Sequence, residues 1–180
     1  MKKNHYQSTT ILGVRIGPKV ALGGDGQVTI GEIKMKSKAV KVRSFLEGNV
    51  LAGFAGAAAD AMALFEKFEI KLDEMNGNLK KAVVEMSKDW RTDKVLRELD
   101  ALLAIVDRRD AFILSGSGDV IEPDENLVSI GSGSGYAMAA ARAFIRSGEK
   151  KPKKIVKESL KITSDICIYT NNHITVLEIE

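Results

Sequence analysis

The sequence predicts an α+β domain of four layers, in which two antiparallel sheets pack together and a pair of helices covers each outer face. Two observations carry this expectation. Hairpin strands followed by paired helices recur twice along the 180 residues, and no linker or low-complexity tract divides the two runs. A parallel βαβ order would alternate single strands with crossover helices, which is not the pattern here.

Each element follows from local signals. Residues 9–16 alternate as a strand, Gly17-Pro18 supplies a turn, and Lys19-Val-Ala-Leu-Gly-Gly leads into Asp25-Gly26. Strands are expected over 38–45 and 50–55, on either side of Glu47-Gly48-Asn49. From about Ala57 the pattern turns helical, with Ala61, Phe65, Phe68, Leu72 and Met75 at spacings of four and three on one face. Asn76-Gly77-Asn78 ends that helix, and a second carries Leu79, Val83, Met86 and Trp90 on one stripe. The cycle then repeats. Residues 102–106 and 111–114 form a hairpin through Arg108-Arg109-Asp110, 127–130 is a strand, and the alanine-rich stretch 136–146 is a helix. A further helix is expected from Pro152, a residue suited to a first turn, to about Thr163. Strands at 166–170 and 174–179 complete the expected order.

Composition narrows the function classes. Hydrophobic residues make up 44% and charged residues 28%, ordinary values for a globular protein. The net charge of +3 falls to +1 without Lys2 and Lys3, which gives no electrostatic ground for a nucleic acid or membrane partner. Lys150, Lys151, Lys153 and Lys154 read as a solvated helix start. Cys167 is the single cysteine, so no internal disulfide can form, and a reducing, cytoplasmic setting is expected. No apolar run approaches the ~20 residues of a membrane span, and residues 1–8 lack the apolar segment of a secretory signal. His5 and His173 are the only histidines, and no His, Cys and carboxylate spacing suggests zinc. A Ser-His-Asp triad would have to use His173. Catalysis otherwise rests on Thr, Ser, Lys, Asp or backbone groups.

Thr9 is the candidate nucleophile. Were the peptide bond before it cut, one residue would carry both a hydroxyl and a free α-amine able to serve as its base. Taken singly, the other candidates have plain structural readings. Thr9 suits a strand start, Asp25 a turn, Lys41 an exposed strand, and Gly53 and Gly56 a tight strand-to-helix transition. Gly131-Ser-Gly-Ser-Gly135 has the look of a phosphate loop but lacks its Lys-Ser/Thr ending and its parallel βαβ surroundings.

Taken together and in order, these stretches resemble the threonine-peptidase subunits of the proteasome type, in particular the bacterial branch that works with a separate ATPase. The matching stretches are Thr9-Thr-Ile, Gly24-Asp-Gly-Gln27, Lys41-Val-Arg43, Ala52-Gly-Phe-Ala-Gly56 with Ala59-Asp60, and Lys88-Asp-Trp-Arg-Thr-Asp93. Later come Leu102-Leu-Ala104, Ile130-Gly-Ser-Gly133 and Asp165-Ile-Cys-Ile-Tyr-Thr-Asn171, so the likeness runs from Thr9 to the last strand.

The resemblance implies an αββα sandwich of the N-terminal-nucleophile hydrolase type over 9–180, with residues 1–8 a leader removed on maturation. It implies Thr9 as nucleophile, Lys41 beside it to lower the amine's pKa and stabilise negative charge, and Asp25 to hold Lys41 charged. Gly56, with Gly53 as the other choice, would supply an oxyanion N–H, while Ser132 and Asp165 would sit around the nucleophile. The carbonyls of Ser164, Cys167 and Thr170 would bind a structural sodium ion, and no cofactor is needed for the chemistry. The implied partners are a hexameric AAA+ unfoldase, further copies of the chain in two stacked hexameric rings, and unfolded protein substrates.

Two positions depart from the family pattern. Ser164 stands where relatives usually have glycine, and Ser8 is not the glycine common before such threonines. With the leader intact Thr9 has an amide nitrogen, hence no base, and the chain is expected to be inactive. Gly53, Ala57 and Ala61 are small, which would leave room for an apolar substrate side chain. ATP-dependent protein degradation by a threonine endopeptidase is the leading expectation. The alternatives are another N-terminal-nucleophile amidohydrolase and a non-catalytic ring subunit.

Overall fold

The computed structural model describes residues 9–56, 58–93 and 101–180. Eleven strands appear among them: β1 (Thr10–Ile16), β2 (Lys19–Asp25), β3 (Val28–Ile30), β4 (Ile33–Lys36), β5 (Val42–Phe45), β6 (Val50–Ala55), β7 (Leu102–Val106), β8 (Ala111–Ser115), β9 (Val120–Ile121), β10 (Leu127–Gly131) and β11 (Ile174–Ile179). The helices are α1 (Ala58–Glu74), α2 (Leu79–Thr92), α3 (Ser134–Arg146) and α4 (Pro152–Ile166). One sheet has the order β10-β1-β2-β11 and another β5-β6-β7-β8-β9, with β3-β4 a separate hairpin. Every pairing is antiparallel.

Three apolar layers fix the stacking. Phe45, Phe54, Phe68, Met86 and Trp90 pack α1 and α2 onto the second sheet. Ile11, Leu22, Val42, Leu51 and Val128 fill the space between the sheets. Leu12, Val14, Ala137, Ile155 and Leu160 seat α3 and α4 on the first sheet. The order is therefore helix, sheet, sheet, helix, as predicted. Because successive side chains leave a strand on opposite faces, Ile11 enters the inter-sheet layer and Leu12 the helix layer. That is why β1 reads as a nearly continuous apolar run: both of its faces are covered.

Helix ends follow the sequence signals. At the end of α1, Asn76 (φ 52°) and Gly77 (φ 75°) take the left-handed conformation, and Gly77 N–H donates to the Leu72 carbonyl at 2.8 Å. Asn78 then caps α2, its side chain accepting from Lys81 N–H at 3.0 Å. Leu79, Val83, Met86 and Trp90 are buried on the expected stripe. Phe65, Phe68 and Leu72 are buried on α1 and Met75 packs against the same core, whereas Ala57 and the side chain of Ala61 lie outside the described residues.

Four expectations need correction. The strand at 38–45 is confined to Val42–Phe45, because residues 38–40 lie outside the sheet, while Lys41 still accepts from Phe54 N–H at its carbonyl and gives its side chain to Asp25. The hairpin of β3 and β4 went unread, since its strands are short and β4 is exposed throughout. Helix α3 begins at Ser134, two residues early. The strand expected over 166–170 does not form. Helix α4 runs on to Ile166, Cys167 N–H caps it by donating to the Thr163 carbonyl, and Thr170 N–H closes a turn on the Cys167 carbonyl at 3.0 Å. The β-rich string Ile-Cys-Ile-Tyr-Thr signals a strand only by propensity, and here helix continuation and the turn override it.

Candidate active site

The side chains singled out in the sequence come from ends of elements that the sheet register brings to one edge. Thr10 pairs with Gly131, Ile11 with Gly24, and Asp25 with Ile174, so Thr9, Asp25 and Ser132 emerge side by side from the first sheet. Lys41 precedes β5 and Gly56 follows β6 on the second sheet. Thr9, Lys41 and Gly56 line one groove of about 480 Å³, together with Val28, Val42 and Phe54 among other residues.

Beneath that groove lies a buried charge pair. Lys41 Nζ donates to Asp25 Oδ1 at 3.0 Å and to the Gln27 carbonyl at 2.5 Å. The two side chains are 2% and 0% exposed. Asp25 Oδ1 also accepts from Thr10 N–H at 2.8 Å, and Oδ2 accepts from Gln27 N–H at 2.9 Å and Asn171 N–H at 3.3 Å. Four donors fill the acceptor positions of an ionised carboxylate, which is what a buried charge requires. Burial pushes the Lys41 pKa below its ordinary 10.5, and the neighbouring Asp25 offsets part of that fall.

Thr9 is held through its backbone. Ser132 N–H donates to the Thr9 carbonyl at 2.8 Å. Gly131, at φ 92°, leaves no room for a side chain, since a Cβ there would lie 2.1 Å from the Thr9 oxygen. Thr10 is fixed next to it, its Oγ1 accepting from Gly133 N–H at 3.1 Å and sharing a hydrogen bond with Thr170 Oγ1 at 2.7 Å. The amides of Ser132 and Gly133 are thus spent on Thr9 and Thr10. With β10 antiparallel to β1 as well, the Gly131–Gly135 turn is not a phosphate cradle. Gly131→Ala is expected to cost about 2 kcal/mol or more in stability through backbone strain and the clash with Thr9, read as a lower denaturation midpoint. An unchanged midpoint would mean that the turn can be rebuilt.

The remaining candidates are placed less centrally. Ser132 is exposed, and Asp165 is exposed in the last turn of α4. Ser164 lies in that same turn, not in a loop before a strand, and its hydroxyl donates to the Lys161 carbonyl at 2.7 Å. Cys167 is buried and Thr170 follows in the next turn. The missing side chain of Gly53 is taken up by packing, because a Cβ there would sit 2.7 Å from Ile11 Cγ2. His173 is exposed. The lysines at the start of α4 are solvated, with Lys153 paired to Glu178 and Lys154 to Glu149. No cluster of three His, Cys, Asp or Glu side chains suited to a metal occurs among the described residues. None of their helices is long and apolar enough to cross a membrane.

A threonine just ahead of a central strand of an αββα sandwich, lining the same groove as the lysine of a buried Lys–Asp pair, defines a peptidase-type fold. The family described as "Proteasome subunit" matches residues 5–179, and the chain belongs to it. Within that family it is 55% identical over 174 residues to the ATP-dependent protease subunit HslV of Pseudothermotoga lettingae, spanning 97% of this chain and 99% of that protein. The crystal structure of eukaryotic HslV from Trypanosoma brucei matches at a TM-score of 0.89 and 43% identity, covering 95% of this chain and 99% of that one. Thiobacillus denitrificans BPH in complex with epoxomicin shares the fold, with a TM-score of 0.72 at 17% identity over 95% of this chain and 98% of that one.

Sequence reasoning missed Thr10, Gln27 and Asn171 as parts of the site. Asparagine two residues before His173 N–H is an Asx-turn signal that marks position 171. No local signal gives its long-range bonds.

Proposed function

We propose that this chain is the peptidase subunit of an ATP-dependent protease, a threonine endopeptidase that cuts unfolded polypeptide inside a closed ring. The observation that carries the proposal is the buried Lys41–Asp25 pair bordering the groove that Thr9 lines. Residues 1–8 are removed, which turns the Thr9 amide into an amine. Thr9 Oγ attacks the scissile carbonyl, and the α-amine takes its proton, directly or through a water. The Lys41 ammonium lowers the amine's pKa and stabilises the developing negative charge, while Asp25 keeps that ammonium in place. Gly56, two residues before α1, offers its N–H to the oxyanion where helix-end amides favour negative charge. Ser132 and Asp165 complete the surroundings of the amine. The α-amine passes the proton it took to the leaving amine as the scissile C–N bond breaks, and water then hydrolyses the Thr9 ester, releasing the acid and restoring the hydroxyl. Val28, Val42 and Phe54 give the groove an apolar wall, which suits an apolar substrate side chain.

The partner is an HslU-type hexameric AAA+ unfoldase, and twelve copies of this chain form two stacked hexameric rings in the cytoplasm. The 55% identity to an ATP-dependent protease subunit supports both. A sodium ion on the Ser164, Cys167 and Thr170 carbonyls fits the local structure. The Ser164 carbonyl lies in the last turn of α4, where carbonyls lack helical partners at the negative end of the helix dipole, and the Cys167 carbonyl, which accepts from Thr170 N–H, has a second lone pair for a hard cation. Such an ion would steady the turn that carries Thr170.

Degradation of an unfolded protein, measured with and without an HslU-type ATPase and ATP, tests the proposal. A rate that rises on adding both is the expected result. Hydrolysis of small amides alone, with no gain from the ATPase, would instead identify another amidohydrolase. Absence of any hydrolysis by chains beginning at Thr9 would identify a structural ring subunit.

A further inference from the structure

Asn171 joins the segments that carry the two members of the charge pair. Its side chain Oδ1 accepts from Gly26 N–H at 3.1 Å and from His173 N–H at 3.1 Å, and its Nδ2 donates to the Ser37 carbonyl at 3.0 Å. Its own N–H reaches Asp25 Oδ2 at 3.3 Å. Gly26 follows Asp25 directly, and Ser37 begins the segment that runs outside the sheet to Lys41. The same two segments meet again where Ala39 N–H donates to the Gly26 carbonyl at 2.9 Å.

The side chain is buried, with 9% of the residue exposed, and both its acceptor and its donor are used. An Asx turn accounts for the His173 bond alone. The bonds to Gly26 and Ser37 link connecting segments that are remote in sequence, and they need an amide of this length with one oxygen and one NH2. Aspartate keeps the acceptor but sets oxygen against the Ser37 carbonyl, and alanine keeps neither.

We propose that Asn171 is a positioning residue for catalysis, bracing the Asp25 turn against the Ser37–Lys41 segment so that the Lys41 ammonium stays where Thr9 uses it. This rests on the catalytic roles proposed above for Thr9, Lys41 and Asp25. Asn171 does not touch substrate. It acts through the carboxylate and through the path of the chain into Lys41. A displacement of that ammonium by an ångström is enough to lower turnover by one to two orders of magnitude.

The test compares Asn171→Ala, Asn171→Asp and Lys41→Ala in the assembled protein, with peptide hydrolysis expressed per chain that begins at Thr9, counted by N-terminal sequencing. Both Asn171 variants are expected to lose about ten- to a hundredfold in kcat per processed chain. In Asn171→Ala the alkaline limb of the pH–rate profile is also expected to move to lower pH, because a displaced Asp25 offsets less of the burial of Lys41. A purely structural asparagine would lower the melting temperature and leave kcat per processed chain and the alkaline limb at wild-type values, and that result overturns the proposal. If Asn171→Ala does not assemble, Asn171→Asp decides on kcat per processed chain, since it keeps the Gly26 and His173 bonds and turns the Ser37 bond into a repulsion. Should Lys41→Ala itself turn over normally, the catalytic assignment fails instead. A dead Lys41→Ala beside normal Asn171 variants overturns only the role of Asn171.

Discussion

Thr9→Ala is expected to abolish peptide hydrolysis, with a fall of ~10⁴-fold or more in kcat, the scale on which enzymes of this kind lose a nucleophile. Folding should survive. The Thr9 contact seen at the Gly131 turn runs through its carbonyl, which alanine retains. Thr9→Ser keeps a hydroxyl and an amine and should retain measurable turnover. The same substitutions report on maturation. Wild-type protein is expected to yield Thr9 as its first residue on N-terminal sequencing, whereas a chain whose Thr9 releases its own leader would keep residues 1–8 when that residue is alanine. Leader loss in both forms would assign the cut to another protease, and purified wild-type protein still beginning at Met1 would count against self-processing. Thr9→Ala hydrolysing peptides as well as the wild type would end the threonine mechanism altogether.

Lys41→Ala is the second large effect, and it acts on chemistry and stability together. Loss of one preorganised charge-stabilising group costs about 10²- to 10³-fold in kcat. Removing the cation also leaves the buried Asp25 without the cation it is paired to, which destabilises by about 3–5 kcal/mol. Asp25→Asn should show the converse, a Lys41 without its carboxylate, while an Asp25→Asn, Lys41→Met double variant should recover part of the stability and none of the activity. In the wild type, the need for the Lys41 ammonium gives turnover an alkaline limb below the ordinary lysine value of 10.5, since burial pulls that group down. The sign for stability is the opposite. Between the lowered folded value and 10.5 the unfolded chain holds the extra proton, so this group's contribution to stability rises with pH. Activity should therefore fall at alkaline pH while the protein remains folded, as circular dichroism on the same samples can check. An alkaline loss of activity that tracks unfolding would remove Lys41 from the mechanism.

Much of the architecture was legible because periodicity follows burial. The stripe of Leu79, Val83, Met86 and Trp90 names a helix face, and the hairpin through Arg108-Arg109-Asp110 is bounded by turn residues on both sides. Where burial gives no alternation the signal weakens. Ile33 and Met35 alternate with lysines in β4, but over only four residues and with both apolar side chains exposed, and Ile168 is 78% exposed in a turn although its neighbourhood reads as a strand. Thr9, Asp25 and Lys41 were legible as an ordered set of residue types and not by anything local to each.

By itself the sequence determined the kind of layers and the chemical groups available. Its hairpins and helix pairs can bury their apolar faces only against one another, and with two histidines and one cysteine it leaves chiefly threonine, serine, lysine, aspartate and backbone groups for chemistry. Tertiary structure decided which of those groups meet. Antiparallel register sets Thr10 beside Gly131 and Asp25 beside Ile174, and long-range hydrogen bonds from Asn171 and Thr170 close on them from the far end of the chain. Such contacts link residues more than a hundred positions apart, so no window along the chain contains them. They form because polar groups removed from water must find their partners inside the fold, however distant those lie along the chain.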